Sequence, residues 1–157
     1  MIYFAYGSNM DFDRMRERSP NARFLFPAVL IGYKLAFTRQ MRDNKGGAAD
    51  IRESAGVSVW GVVYHLSEPD DLFALYPAEG YVPGRANNAY EQITVGVHPA
   101  GDQQQMLKAV TFTVPNQKKL SEHQKPSPQY MRHLLLGAQL WGLPANYIDQ
   151  LKRIEIR

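Results

Sequence analysis

The apolar positions of the chain open in a single run, Met1 to Tyr6, which stops at Gly7. Its aromatic and β-branched content predicts a buried strand, with Gly7 turning the chain at positive φ and Ser8 or Asn9 capping the helix that follows. In that helix Asp11 and Asp13 fall in the first turn and Arg14, Arg16 and Arg18 towards the end, which complements the helix dipole, and Pro20 discourages continuation. Apolar segments resume around Gly32 in residues 21–38, and the pattern of Tyr33 to Thr38 predicts a second strand with one accessible face. Residues 39–56 are polar, contain a Gly pair and show no period, so they read as a long mobile loop of a length that often carries function. Order returns with the β-rich run Val57 to Leu66, in which Gly61 marks a bulge or a close backbone approach.

Ser67 is placed to cap a helix that reaches about Leu75 and is cut by Pro77. Residues 76–99 then read as a Gly- and Pro-punctuated loop leading into a strand over Tyr90 to Val97, with Glu79 in the first part of the loop. Leu107 to Val114 is strand-like. After a polar connection, Ser127 caps a helix with Pro128 in its first position, and Gly142 with Pro144 ends it. From Ala145 the apolar residues Tyr147, Ile148, Leu151 and Ile154 recur at helical spacing and predict a short closing helix.

Composition narrows what this arrangement does. A length of 157 residues with 45% hydrophobic content fits one domain, 1–157, with a core of its own. The net charge of +3 comes from 18 basic and 15 acidic residues dispersed along the chain, with neither a basic block nor a nucleic-acid motif, so nucleic acid is not implied. The N-terminal residues lack the features of a signal peptide and no stretch has the length of a membrane span, so a cytoplasmic protein without a membrane partner is expected. The absence of cysteine excludes disulfides, thiolate catalysis and cysteine metal sites. His65, His98, His123 and His133 form no metal-binding spacing, and no nucleophile elbow or P-loop is present.

Two features remain as candidate chemistry. The N–H groups of Gly7, Ser8 and Asn9 lie at a strand-to-helix junction, where they can bind a carboxylate or phosphate. Glu79 is an acid in a Gly-flanked loop with aromatic residues nearby. The segments YFAYGSNM, GYKLAF, WGVVYHL, AEGY and PSPQYMRHLLLGAQLWGLPANYIDQLKRIE, in this order, resemble the γ-glutamylcyclotransferase (AIG2-like) family from end to end. The resemblance implies an α+β fold, a small mixed β-barrel with flanking helices, and an enzyme that releases 5-oxoproline from a γ-glutamyl compound without a cofactor. It also implies that Tyr6, Gly7, Ser8 and Asn9 form the substrate-binding loop, that Glu79 is the catalytic glutamate and that Tyr130 lines the same cavity. A homodimer is compatible with this picture. Tyr76 stands where the family often has an acid, and the loop from Glu79 to Tyr90, with Arg85, Asn87 and Asn88, is longer than usual, which bears on the leaving group.

The chemistry suits these residue types. In a γ-glutamyl compound the α-amine attacks the γ-carbonyl of the same molecule, so the nucleophile arrives with the substrate and neither Ser, Cys nor a metal is required. The protein has to fold the glutamyl chain, take a proton from the α-ammonium and return one to the departing amine. Glu79 can do both, at a pKa raised by burial near Tyr76, Tyr81 and Tyr130, and the Tyr130 hydroxyl is expected to reach Glu79 or the substrate. The loop 39–56 and the loop around Arg85 are expected to set access and leaving-group preference. A γ-glutamylamine cyclotransferase acting on alkylamines and a non-catalytic module binding a small carboxylate are the alternatives.

Overall fold

Two long strands pair antiparallel along most of their length and give the molecule its frame: β2 (Arg23–Gln40) and β3 (Gly47–His65). The computed structural model describes residues 1–157. Around this hairpin the sheet closes into a barrel with β1 (Ile2–Ala5), β4 (Glu91–Pro99) and β5 (Leu107–Thr113), in the order β1-β3-β2-β4-β5. All pairings are antiparallel except β1 with β5, whose parallel contact at Tyr3 and Val110 closes the ring and makes the barrel mixed. Five helices flank it: α1 (Phe12–Arg18), α2 (Pro69–Phe73), α3 (Tyr76–Glu79), α4 (Pro128–Leu140) and α5 (Ala145–Lys152).

The expected loop over residues 39–56 is instead mostly sheet. Only Met41 to Gly46 turn, and Gly47 to Ile51 are buried strand. The sequence misleads here because this strand is made of small residues and one acid. A Cβ on Gly47 would lie 1.7 Å from the Gln124 carbonyl oxygen, so the strand is small because the returning chain lies against it. The acid is Asp50, fully buried, which accepts hydrogen bonds from the hydroxyls of Thr38 and Thr113 and from the Val114 N–H, and pairs with Lys119 at 3.2 Å. This cluster ties β2, β3 and β5 to the connection before α4. Losing Lys119 would leave a buried charge without its partner, a change that costs about 3–5 kcal/mol in comparable sites.

Local expectations are corrected at four other points. Gly7 has φ −113° and ψ −140°, not a positive φ, and Ser8 and Asn9 lie within a single 3₁₀ turn, Ser8–Met10, while Asp11 caps α1 through the Asp13 N–H. Glu68, not Ser67, precedes the first residue of α2, and the Asp71 carboxylate accepts from both N–H groups. Pro77 does not terminate helical structure: it sits in the first turn of α3, where its missing N–H has no acceptor to lose. The second strand is also longer than the expected Tyr33 to Thr38, because pairing with β3 carries it through Gly32 from Arg23 to Gln40. Two further expectations agree with the structure. Gly61 is a close approach, since a Cβ there would meet the Ala5 carbonyl oxygen at 2.3 Å, and the Ser127 hydroxyl caps α4 by accepting from the Tyr130 N–H.

One contact of α4 bears directly on the N-terminal turn. Gly137 packs so closely on Met10 that an added Cβ would lie 2.3 Å from the Met10 carbonyl carbon, and one turn later the Trp141 indole N–H donates to the Met10 carbonyl at 3.0 Å. The helix thereby presses the Ser8–Met10 turn against the barrel mouth. Gly137→Ala gains about 1 kcal/mol of helix propensity, but the clash is with backbone, and overpacking of this kind costs about 1–3 kcal/mol. The variant is therefore expected to melt below wild type. Thermal unfolding followed by circular dichroism checks this; a melting temperature at or above wild type would show that the contact has slack.

Candidate active site

The barrel mouth opens into a cavity of about 130 Å³ lined by the end of β1, the 3₁₀ turn, α1, the tip of the β2–β3 hairpin, the end of α3 and the start of α4. Residues from all parts of the sequence meet there. Tyr6, Gly7, Ser8, Asn9, Glu79 and Tyr130 share this cavity with Tyr3, Arg14, Arg18, Arg39, Ala49 and Tyr90.

At the turn, the bonds that close the 3₁₀ geometry run from Met10 N–H to the Gly7 carbonyl and from Asp11 N–H to the Ser8 carbonyl. The N–H groups of Gly7, Ser8 and Asn9 consequently have no backbone acceptor, the condition for an anion-binding turn. Space rather than φ disfavours a side chain at position 7: a Cβ there would sit in tight contact, 3.3 Å from the Ala49 Cβ, and 3.6 Å from the Tyr130 hydroxyl.

Glu79 is the last residue of α3, and Gly80 ends the helix in the left-handed conformation at φ 58°, where glycine is unstrained. Its Oε1 faces the Asn9 amide, which lies 3.4 Å away and also donates to the Tyr3 hydroxyl at 2.9 Å. The Asn9 side-chain oxygen accepts from Arg18, and its carbonyl accepts from the Tyr64 hydroxyl at 3.0 Å. With every polar group of Asn9 except its N–H engaged, this residue is a hub that aims Glu79 as well as a part of the turn.

Burial in this cavity pushes Glu79 up from 4.5 to about 7, against the opposing pull of Arg18, Arg14 and Arg39 and of the Asn9 hydrogen bond. The direction expected from the sequence holds, but the walls differ. Tyr76 and Tyr81 pack edge-on to each other and to Phe112, and the Tyr76 hydroxyl donates to Gln92, so the phenols around the carboxylate are those of Tyr3, Tyr6, Tyr90 and Tyr130. Burial raises all four above the ordinary phenol range, which keeps them protonated. Tyr6 donates to the Phe112 carbonyl and Tyr90 to the Ala49 carbonyl. The Tyr130 hydroxyl does not bond Glu79; it accepts from the Ala49 N–H at 3.0 Å, which leaves its own proton to donate into the cavity.

The arginines were missed in the sequence, although a signal exists. Arg14 and Arg18 are four residues apart on α1 and therefore share one face, which here is the cavity face, whereas Arg16 lies over the Phe12 ring. Reading all three as complements of the helix dipole hid that distinction. Arg39, whose guanidinium lies 5.6 Å from the centre of the Tyr90 ring, was hidden by the assignment of its strand as loop. Arg14 is oriented in turn by His133, whose Nε2 lies 2.9 Å from the guanidinium while Nδ1 contacts Asp11 at 2.6 Å. No three His, Asp or Glu side chains converge as a metal-binding group, and no helix is long and apolar enough to cross a membrane.

A closed mixed barrel with an acid at its mouth beside a turn of unpaired N–H groups characterises the class of this fold and site. Residues 58–151 match the model of the AIG2-like family. The chain is 33% identical to human γ-glutamylcyclotransferase over 158 aligned residues, covering 98% of this chain and 78% of the human protein. A solved structure of a γ-glutamyl cyclotransferase superposes with a TM-score of 0.86 at 32% identity, covering 100% of this chain and 89% of the other. A yeast γ-glutamyl cyclotransferase specific to glutathione shares the fold, with a TM-score of 0.64 at 14% identity over 96% of this chain and 93% of its own. The chain belongs to the γ-glutamylcyclotransferase family.

If Glu79 acts in its ionised form, activity should rise with pH through about 7. Arg18→Gln removes a charge that favours the carboxylate, so it should move this limb to higher pH, whereas lost packing alone would lower the plateau without moving the limb. The pH dependence of kcat/KM in the two proteins makes the distinction; coincident limbs would show that Arg18 does not act on the titrating group.

Proposed function

We propose that this chain is a cofactor-independent γ-glutamylcyclotransferase that releases 5-oxoproline from a γ-glutamyl amino acid or peptide, with Glu79 as its general base and acid. The observation that carries this reading is a carboxylate with a near-neutral pKa beside a turn of unpaired N–H groups, in a cavity only large enough for the glutamyl end of a substrate. A volume of about 130 Å³ falls well below the ~300–1,000 Å³ of sites that enclose a drug-sized ligand. The leaving group therefore projects outward.

In the proposed reaction Glu79 takes a proton from the substrate α-ammonium, and the freed amine attacks the γ-carbonyl carbon. The new C–N bond closes a five-membered lactam. Glu79 delivers this first proton to the departing nitrogen as the original amide C–N bond breaks and takes up the second proton shed by the attacking nitrogen, which leaves 5-oxoproline and a free amine. That second proton then passes to the amine or to solvent, returning Glu79 to its carboxylate. Holding the two ends of one molecule in a near-attack geometry supplies the proximity term, and a base at about 7 narrows the gap to the ammonium it must deprotonate.

The site has two different supports for negative charge. The N–H groups of Gly7, Ser8 and Asn9 are fixed, neutral donors suited to the oxyanion that forms transiently on the carbonyl oxygen. Arg14 and Arg18 supply full charges suited to the permanent α-carboxylate. Tyr130 lines the same cavity and offers its phenolic proton. A cytoplasmic location and a possible homodimer complete the reading, which places no cofactor in the reaction because the nucleophile belongs to the substrate.

The direct test is incubation with a panel of γ-glutamyl amino acids and γ-glutamyl alkylamines, with 5-oxoproline quantified by mass spectrometry. Release from the amino-acid members is expected, with turnover on the alkylamines at least ~10-fold slower. Alkylamines as the better substrates would assign the chain to γ-glutamylamine chemistry. Binding of glutamyl ligands with no 5-oxoproline would leave a carboxylate-binding module.

A further inference from the structure

We infer that the space outside the reaction chamber is a subsite for an acidic leaving group, so that the preferred substrates are γ-glutamyl conjugates of acidic amino acids or peptides. This inference rests on the cyclotransferase reading above and specifies its substrate class.

A second cavity, of about 670 Å³, adjoins the first and shares Arg39, Met41, Ala78 and Glu79 with it. A smaller cavity, of about 410 Å³, adjoins the chamber at Arg14, Met41 and Tyr130, but the larger one shares Glu79 itself, so a substrate whose scissile amide lies at Glu79 has this vestibule next to its leaving group. Five cations, Arg39, Arg42, Lys45, Arg85 and Lys118, line the vestibule against two acids, Asp43 and Glu79, an excess of positive charge as large as the net +3 of the whole chain. Charge that is dispersed along the sequence is thus gathered at one opening.

None of these cations is neutralised by a carboxylate. The ion pairs of the molecule involve Lys119, Lys125, His133 and Lys152. On one wall Arg85 donates to the Asn88 side-chain oxygen and the Gly80 carbonyl, both at 3.0 Å, and Lys118 donates to Asn87 and to the Asn88 carbonyl. These partners are neutral: they fix the position of the two cations and leave their charge. Asn88 itself is buried and bonds the backbone of Val82 and Arg85, so the loop that carries Arg85 is a rigid mount. The hairpin tip, which lines the same vestibule, presents Arg42 and Lys45, whose side chains are exposed and make no hydrogen bond. Cations from two segments lining one opening attract an anion that enters it, and an uncharged alkyl leaving group would gain nothing from the arrangement.

The test compares γ-glutamyl-glutamate with γ-glutamyl-glutamine, leaving groups of nearly the same shape that differ by one charge. Wild type is expected to favour the acidic member about tenfold or more in kcat/KM at low ionic strength, and the preference should shrink as salt is added. In the double variant R42E/K45E the ratio should fall to about one or invert. Equal kcat/KM for the two substrates in wild type, or an unchanged ratio in the variant, would overturn the subsite. The N-acetylated pair, which lacks the attacking amine, separates this inference from the assignment of activity. Isothermal titration with wild type should show tighter binding of the acidic member, and equal binding would count against the subsite whatever the turnover. If no substrate releases 5-oxoproline while the acidic analogue still binds tighter, the cyclotransferase reading fails and the anionic subsite stands.

Discussion

Burial and charge act on Glu79 in opposite directions, and the site depends on their balance. Desolvation in the barrel mouth disfavours the carboxylate, while Arg18, Arg14 and Arg39 favour it, and burial prevails far enough to place the group near 7. The arginines thus hold the carboxyl lower than burial alone would, which favours the ionised form that the proposed base role needs. In open solvent it would be ionised, but too weak a base for an ammonium. A working proton shuttle therefore needs a buried acid with cations close by and no direct ion pair to any of them. Glu79 appears in none of the ion pairs of the structure.

The rest of the fold maintains that arrangement. β1 delivers the turn, Gly137 and Trp141 of α4 press it into place through Met10, and the turn hands Asn9 to Glu79. The hairpin β2–β3 supplies the facing wall, with Ala49 bonding both Tyr130 and Tyr90, and the buried Asp50–Lys119 pair one residue further on pins that wall to β5. Each of these supports joins segments distant in sequence. The chamber is consequently a property of the closed barrel and not of any one motif.

Much of this was legible in the residues. The strand ending at Gly7, the capped start of α4 at Ser127 and the strands around Val57 and Leu107 all carry strong local patterns, and the family resemblance linked Glu79 and Tyr130 to the N-terminal turn. What escaped was non-local. Gly47 to Ile51 looks like loop until the chain at Gln124 is laid against it, and an isolated Asp in a strand gives no hint of a lysine 69 positions later. Ser8 and Asn9 have the chemistry of caps, but the barrel draws them into a 3₁₀ turn that lines the cavity and leaves their N–H groups without a backbone acceptor. Arg14 and Arg18 satisfy a helix dipole and a substrate site equally well in one dimension, and only the direction of their helix face separates the two uses.

The most direct measurement separates binding from proton transfer at Glu79. Glu79→Gln keeps the shape of the side chain and its contact with Asn9 and removes the base. Isothermal titration of an N-acetylated γ-glutamyl analogue, run beside 5-oxoproline release from the matching substrate, reads the two functions independently. The account predicts retained affinity with turnover lower by about 10²-fold or more, the usual scale for loss of a general acid–base group. Turnover close to wild type in a folded Glu79→Gln protein would contradict it.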